Sequence, residues 1–254
     1  MILAPCIEWH FAECGDMGAR VRAAHAAGFV AAEFHLWRDK DLAATAAALA
    51  DTGMKLTGIC ADPRRSLVDP AQHDELAGAV ADTIVAAQGI GNPPIIVASG
   101  FCREGISPQE HFDCAVTGLT RLARMAEDAG AMLMLEPLND RIDHPGMYLV
   151  STTLGLDLVQ AVGSPALRLL WDAYHSAVMG EDPATVLTGR IDLVHHVQVA
   201  DLPGRNEPGT GTIDWPALVA LLGDLGYRGA LGLEYRPTLP IAQSHAQTRA
   251  ALGL

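Results

Sequence analysis

Four apolar runs in the second half of the chain each end on a polar residue whose side-chain oxygen can bind a metal ion. The terminal residues are Glu136, Asp172, Gln198 and Glu234, so the steps between them are 36, 26 and 36 residues. Each step is close to one strand plus one helix, so four successive parallel strands could direct four oxygen atoms at one point. Three carboxylates and an amide oxygen are hard ligands that suit Mg²⁺ or Mn²⁺. The spacing therefore predicts a metal-dependent enzyme.

Two of these residues, Glu136 and Glu234, end the fifth and the eighth of eight predicted strands and would face each other across the mouth of the ring. Opposed carboxylates around a bound hydroxy-carbonyl compound could remove a proton from one carbon and return one to its neighbour. A divalent cation would polarise the carbonyl and stabilise the enediolate. This arrangement predicts isomerisation. The alternative is that both glutamates are ligands only, and that water or another side chain moves the proton.

Two further residues near the proposed metal site are candidates for substrate binding. His175 follows Asp172 by three residues and could donate a hydrogen bond to a substrate oxygen, although a solvated or capping histidine is the alternative. Arg205 lies in a glycine-rich loop just after Gln198. Because a guanidinium group binds a carboxylate through two parallel hydrogen bonds, we expect Arg205 to anchor an acidic substrate.

His196 and Glu33 are the remaining candidates. His196 is two residues from Gln198 on the same predicted strand, so it should point into the barrel, whereas His195 should point outward. Glu33 lies near the end of the second predicted strand and could contact substrate, with core or rim packing as the alternative. The polar loop 138–148 is long enough to act as a lid, or it is a plain surface loop.

Strand-like and helix-like runs alternate along the whole chain, which is typical of βα units and a parallel sheet. Eight strands are predicted, at 2–7, 30–36, 55–60, 94–98, 132–136, 167–172, 193–199 and 230–234. Ser151 and Asp214 stand where helix N-caps are expected, and a glycine follows most helical runs. The pattern predicts an α/β fold, a single (β/α)8 TIM barrel that forms one domain over residues 1–254.

Composition excludes several classes of protein. The chain has 30 acidic and 17 basic residues and a net charge of −13, so nucleic acid is an unexpected partner. No run approaches the roughly 18 to 20 apolar residues of a membrane span, and the N-terminus lacks the basic lead of a secretory signal. Five widely spaced cysteines, with no CxxC pair, argue against a disulfide framework and a thiolate zinc site. These features predict a cytoplasmic enzyme of a small molecule, and they leave a homo-oligomer open.

The second half of the chain resembles the hydroxypyruvate isomerase family, within the xylose isomerase-like group of TIM barrels. The matching stretches are Leu-Glu136-Pro-Leu-Asn139, His144-Pro-Gly-Met-Tyr148-Leu, Trp-Asp172-Ala-Tyr-His175, His196-Val-Gln198-Val-Ala-Asp201, Arg205-Asn-Glu207-Pro-Gly-Thr-Gly211 and Gly-Leu-Glu234-Tyr. The similar ketose 3-epimerases usually carry His where Gln198 stands, so the amide is typical of this branch.

This resemblance implies a metal ion held by Glu136, Asp172, Gln198 and Glu234, with the two glutamates as the acid and base pair. It also implies that His175 and Arg205 contact the substrate. The implied reaction is the conversion of hydroxypyruvate to tartronate semialdehyde, or isomerisation of a four-carbon 2-oxo-tetronate.

Three other functions are compatible with the same barrel. A ketose 3-epimerase would use the same metal and glutamates on a free sugar, and it differs in needing no cation for a substrate carboxylate. A DNA-repair endonuclease would need more metals, more His and Glu ligands and a basic face. A sugar-binding protein without catalysis would not need the acid and base pair formed by Glu136 and Glu234.

Overall fold

The computed structural model describes residues 1–254, in which parallel strands alternate with helices around a barrel. The strands are β1 Ile2–Pro5, β2 Ala31–Ala32, β3 Lys55–Leu56, β4 Ile59–Cys60, β5 Ile95–Ala98, β6 Leu133–Glu136, β7 Leu167–Asp172, β8 Val194–Val199 and β9 Ala230–Leu233. The helices are α1 Met17–Ala26, α2 Leu42–Thr52, α3 His73–Gln88, α4 Pro108–Ala129, α5 Thr152–Val162, α6 Ala173–Met179, α7 Pro183–Leu187, α8 Trp215–Asp224 and α9 Ile241–Leu252.

The strands form a seven-stranded parallel sheet in the order β1-β9-β8-β7-β6-β5-β4 and a two-stranded pair, β2-β3. The pair lies between the two edges of the larger sheet. On one side, the backbone N–H of Glu33 donates to the carbonyl of Pro5, and that of Ile7 donates to the carbonyl of Glu33. On the other side, the N–H of Cys60 donates to the carbonyl of His35. These bonds close the sheet, so the predicted TIM barrel is confirmed.

The third predicted strand, 55–60, is interrupted at Thr57 and Gly58. The segment before the interruption, β3, pairs with β2, whereas the segment after it, β4, pairs with β5. The Thr57 hydroxyl donates to the backbone carbonyl of Ala32 and to the Glu33 carboxylate. The predicted strand thus changes its partner at Thr57, whose side chain bonds to the segment that follows β2. The pattern of apolar residues does not predict such a change of partner.

The predicted helix ends are confirmed at the N-caps. The side chains of Ser151 and Asp214 accept hydrogen bonds from the backbone N–H groups of Leu154 and Ala217. His195 is exposed on the outside of β8, as its position in the strand predicts. None of the helices combines the length and the apolar composition that crossing a bilayer requires.

Candidate active site

The carboxyl ends of the strands open into one cavity of about 670 Å³. Glu136, His175, Gln198, Arg205 and Glu234 all line it, although they come from four different strands and the segments that follow them. Side chains at the ends of parallel barrel strands share one mouth, and that geometry brings these residues together. Three of the four predicted metal ligands thus line one cavity, whereas Asp172 is buried and does not line it.

Two kinds of contact join the proposed metal ligands. Ligand atoms of Glu136, Asp172 and His175 lie within 4.8 Å of one another. Nη2 of Arg205 lies 2.7 Å from Oε2 of Glu234 and 3.3 Å from Oδ2 of Asp172, so one guanidinium group bridges these two carboxylates. The site thus holds three carboxyl groups, two of which are bonded to the same guanidinium group.

Glu33 holds the Gln198 side chain in one orientation. Nε2 of Gln198 donates to Oε1 of Glu33 over 2.9 Å, and Nε2 of His196 and the Thr57 hydroxyl contact Oε2 of Glu33 at 2.7 and 3.1 Å. The amide nitrogen is therefore committed to Glu33. Oε1 of Gln198 is buried and has no hydrogen-bond partner, which leaves it free to accept a ligand.

His196 and Glu33 were both expected to contact substrate, but the structure places them below the cavity. Both side chains are buried, they bond to each other, and neither lines the cavity. The parity argument is right about His196 pointing inward. The parity argument does not give the depth of a side chain in the barrel, however. His196 lies two residues before Gln198 on β8, further from the mouth, and it does not line the cavity. Their placement favours support of Gln198 over contact with substrate.

Asn139 sets the hydrogen position on His175. Oδ1 of Asn139 accepts from the backbone N–H groups of Ile142 and Asp143, so its Nδ2 is the atom that faces His175. Nδ2 donates to Nδ1 of His175 over 2.6 Å, which requires Nδ1 to be unprotonated. In a neutral imidazole the hydrogen then resides on Nε2, which is buried and has no partner. His175 therefore presents an N–H donor to the cavity.

The charge state of His175 agrees with this tautomer. Burial lowers the pKa of His175 to about 3, and the positive charge of Arg205 acts in the same direction. The imidazole is thus neutral at physiological pH, with one donor and one acceptor. Although Nε2 of His175 lies 3.5 Å from Oδ2 of Asp172, the proton on Nε2 makes this nitrogen a hydrogen-bond donor and not a metal ligand.

The two opposed glutamates have opposite electrostatic environments. Burial raises the pKa of Glu136 well above its ordinary value, and the nearby carboxylates of Glu234 and Asp172 add to the rise. Burial also acts to raise the pKa of Glu234, but Arg205 and His35 outweigh it and hold that pKa well below its usual range. In the protein alone, Glu136 therefore keeps its proton to a higher pH than an exposed glutamate does, whereas Glu234 is a carboxylate.

His35 belongs to the site although its sequence position did not single it out. Its Nε2 lies 2.7 Å from Oε1 of Glu234 and 3.5 Å from Sγ of Cys6. It also lines the cavity, where its ring packs edge-on against Trp9. The available signal was its place just past β2, where side chains reach the mouth.

The loop that carries Arg205 is held in place by its neighbours. Asp201 accepts hydrogen bonds from the backbone N–H of Gly209 and the indole of Trp215, and the N–H of Arg236 donates to the Arg205 carbonyl. The Arg205 guanidinium lies over the ring of Tyr174, 5.1 Å from its centroid. Its Nε is buried and has no partner. The group is therefore preorganised and keeps one donor for a ligand.

The donor set fits a hard divalent ion. Glu136 and Asp172 supply adjacent carboxylates, and the unpartnered Oε1 of Gln198 supplies a neutral oxygen in a buried position. The Glu234 carboxylate joins them through Arg205. Oxygen ligands of this kind are those that Mg²⁺ and Mn²⁺ prefer, and no thiolate lies among them.

Comparisons with known proteins agree with this geometry. A family model described as "Xylose isomerase-like TIM barrel" matches residues 21–253. The chain is 31% identical to hydroxypyruvate isomerase of Escherichia coli, with 87% of this chain and 88% of that protein aligned. It is 32% identical to 2-oxo-tetronate isomerase of Cupriavidus necator, with 92% and 90% aligned.

A solved structure is also similar over almost the whole chain. It is named AP endonuclease, family 2, from Brucella melitensis, and it superposes with a TM-score of 0.87 at 26% sequence identity, covering 97% of each chain.

Proposed function

This chain belongs to the xylose isomerase-like TIM barrel family and is an isomerase, and we propose that its substrate is a small 2-oxo acid. Hydroxypyruvate and a four-carbon 2-oxo-tetronate are the two candidates, because the relatives with these names align over most of the chain. The observation that carries the proposal is the pair of opposed glutamates at the cavity, whose pKa values are displaced in opposite directions. Such a displacement is typical of a paired acid and base.

A divalent ion, Mg²⁺ or Mn²⁺, completes the proposed site, with Glu136, Asp172, Gln198 and Glu234 as its ligands. When bound, such an ion polarises a substrate carbonyl and offsets the charge that develops on an enediolate. The free Oε1 of Gln198 and the clustered carboxylates support this assignment.

The protein's own residues perform the proton transfers in this proposal. Glu234, held ionised by Arg205 and His35, takes a proton from the carbon beside the substrate carbonyl. Glu136 returns a proton to the neighbouring carbon, while the hydroxyl proton of the substrate passes to the former carbonyl oxygen, so that the substrate keeps its number of protons. The N–H of His175 donates to a substrate oxygen, and the unpartnered Nε of Arg205 contacts another.

Two other activities are less well supported. The endonuclease name of the Brucella structure would require a surface that attracts DNA, which the net charge of −13 opposes. A ketose 3-epimerase would use the same pair of glutamates. The identity to isomerases of acids exceeds 30%, whereas an epimerase of known structure, L-ribulose 3-epimerase, is 20% identical and supports only the shared fold.

Proton NMR in deuterated water with added Mg²⁺ or Mn²⁺ tests the proposal. We expect incubation with hydroxypyruvate or a 2-oxo-tetronate to produce the isomer and to introduce deuterium at the reacting carbon. Free ketoses such as tagatose, offered in parallel, should exchange far more slowly. Turnover of the ketoses and not of the acids would replace the proposed function with the epimerase.

A further inference from the structure

The cavity extends well beyond the carboxylate cluster, toward the segments that follow β4 and β5. Arg64, Ser66, Gln72 and Arg103 line this distal part. A cavity of about 670 Å³ has the size of sites that enclose drug-sized ligands, roughly 300 to 1,000 Å³. A substrate of three or four carbons therefore fills only part of the cavity, and the wall that binds its charged group determines where the substrate lies.

Arg64 is a cation on this wall whose charge reaches the reaction centre. It lies in the segment between β4 and α3, three residues after the cavity-lining Ala61. Burial raises the pKa of Glu136, and the Arg64 charge acts against that rise. Arg64 acts in the same way on the buried thiol of Cys60. Arg64 is exposed to solvent, and it also lines the cavity that Glu136 lines.

Of the five arginines that line the cavity, only Arg64 and Arg236 form no ion pair, and Arg236 lies over the ring of Trp9 at 5.4 Å from its centroid. Nε of Arg65 lies 2.5 Å from the Glu75 carboxylate, and Arg205 is bonded to Glu234 and Asp172. The Arg64 guanidinium forms no ion pair and donates no hydrogen bond within the chain, where only the Arg64 backbone carbonyl is engaged. Its donors are therefore available to a ligand without breaking an existing contact.

The backbone around Arg64 is fixed on both sides. Nη2 of Arg38 donates to the Asp62 carbonyl over 2.6 Å, just before Arg64. After it, the N–H of Ser66 donates to the Gln72 side chain over 3.1 Å, and the N–H of Leu67 donates to the carbonyl of Ser99 over 2.9 Å. A segment anchored in this way needs little further ordering when a ligand binds.

We propose that Arg64 binds the negatively charged group of the substrate and thereby selects acids over neutral sugars. The inference rests on the proposed function for the reaction itself. Arg205 is already paired with Glu234 and Asp172, and the carboxylates around it repel an anion. The opposite end of the cavity offers an unpaired guanidinium instead. The group bound there is a carboxylate or a phosphate ester, since a guanidinium binds both through the same paired hydrogen bonds.

The test compares Arg64→Gln with Arg65→Gln in the Mg²⁺-loaded protein. Arg65 lines the same cavity, but Glu75 already neutralises it, so it is the matched control. We expect Arg64→Gln to raise KM for hydroxypyruvate at least about tenfold, as for the loss of one charge-assisted hydrogen bond. The value of kcat should change less than about threefold, and proton exchange of uncharged dihydroxyacetone should stay unchanged. Arg65→Gln should leave KM within about twofold of wild type.

Calorimetric titration with tartronate and with inorganic phosphate tests anion binding without turnover. Weaker binding of either anion by Arg64→Gln, but not by Arg65→Gln, supports the anion site. If this result is obtained and no 2-oxo acid reacts, only the proposed function fails. Unchanged affinity for both anions, or an equal loss in Arg65→Gln, overturns the site even if the isomerase is active. A larger KM effect on phosphohydroxypyruvate than on hydroxypyruvate would identify a phosphate ester, and an equal effect would identify the carboxylate.

Discussion

Gln198 and Glu33 are joined by a hydrogen bond of 2.9 Å across 165 positions of the chain. The bond determines which end of the Gln198 amide faces the cavity, because Glu33 in its ionised form can only accept. A residue below the cavity thus decides whether an oxygen or a nitrogen is offered to a ligand.

Replacing Glu33 with Gln should weaken metal binding. The new side chain has one acceptor oxygen in place of two, so Gln198 and His196 compete for it and the Gln198 amide loses its fixed orientation. Loss of such a supporting contact typically costs about 10- to 100-fold in metal affinity. Titration with Mn²⁺, followed by electron paramagnetic resonance, measures the effect. Glu104→Gln, at an exposed position, is the control. Unchanged Mn²⁺ affinity in Glu33→Gln would contradict the orienting role.

Glu136→Gln and Glu234→Gln should each abolish exchange of the substrate's α-proton with solvent. Each change removes one partner of the proposed acid and base pair while keeping the shape of the side chain. Proton NMR in deuterated water measures exchange, at a Mn²⁺ concentration that saturates each variant, so that loss of the ion does not imitate loss of the proton transfer. Thermal unfolding checks that both variants keep the fold. Near-normal exchange in both would show that another group moves the proton.

Metal affinity should rise with pH through neutrality. Burial raises the pKa of Asp172 to about 7, with Glu234 acting in the same direction and Arg205 against it, and the pKa of Glu136 is raised as well. Below about pH 7 Asp172 holds a proton, which a metal ion must displace to bind its oxygen, and the raised pKa of Glu136 acts in the same direction. Calorimetry in two buffers of different protonation enthalpy should therefore detect more proton release near pH 6 than near pH 8.5. Equal release at both would mean that the carboxyls are already ionised.

Gly232→Ala should disturb the site from below. A Cβ atom at this position would lie 2.6 Å from both carboxylate oxygens of Glu33 and 2.7 Å from Nε2 of His196, which is closer than packed atoms tolerate. We expect the free energy of unfolding to fall by about 1 to 3 kcal/mol. Mn²⁺ affinity should fall with it, because Glu33 must move away from Gln198. Denaturant unfolding and Mn²⁺ titration measure the two effects.

Gly223→Ala in α8 is the control for this substitution. A Cβ there would meet nothing within 4 Å, so the alanine should leave stability unchanged or raise it by up to about 1 kcal/mol. If Gly232→Ala lowers the free energy of unfolding no more than Gly223→Ala does, the side chains of Glu33 and His196 can move to accommodate the added methyl group.

The fold could be predicted from the sequence because its signals are local. The ends of β6, β7 and β8 lie within one residue of their predicted positions, and β6 and β7 stop at the polar residues Glu136 and Asp172. Convergence of the terminal side chains then follows from parallel strands in a closed barrel. The interruption after Leu56 escaped prediction because it reflects a change of strand partner, which depends on residues far away in sequence.

Much of the site depends on contacts that no local pattern encodes. Glu33 and His196 were expected at the substrate, whereas their bond to each other lies below the cavity. His35 beside Glu234 and Asn139 beside His175 are contacts across 199 and 36 positions. Alternation along a strand predicts the face on which a side chain lies, but neither its depth nor its partner.

Arg205 also bears on the order in which the protein acquires its parts. Three carboxylates buried together would strongly oppose compaction of the chain unless a positive charge compensates them. The guanidinium bonded to Glu234 and Asp172 is a counter-ion supplied by the polypeptide itself. A newly synthesised chain can therefore complete its barrel before any divalent ion arrives. Binding of the proposed ion would then add charge to a site that Arg205 already compensates, and it would not be a condition for folding.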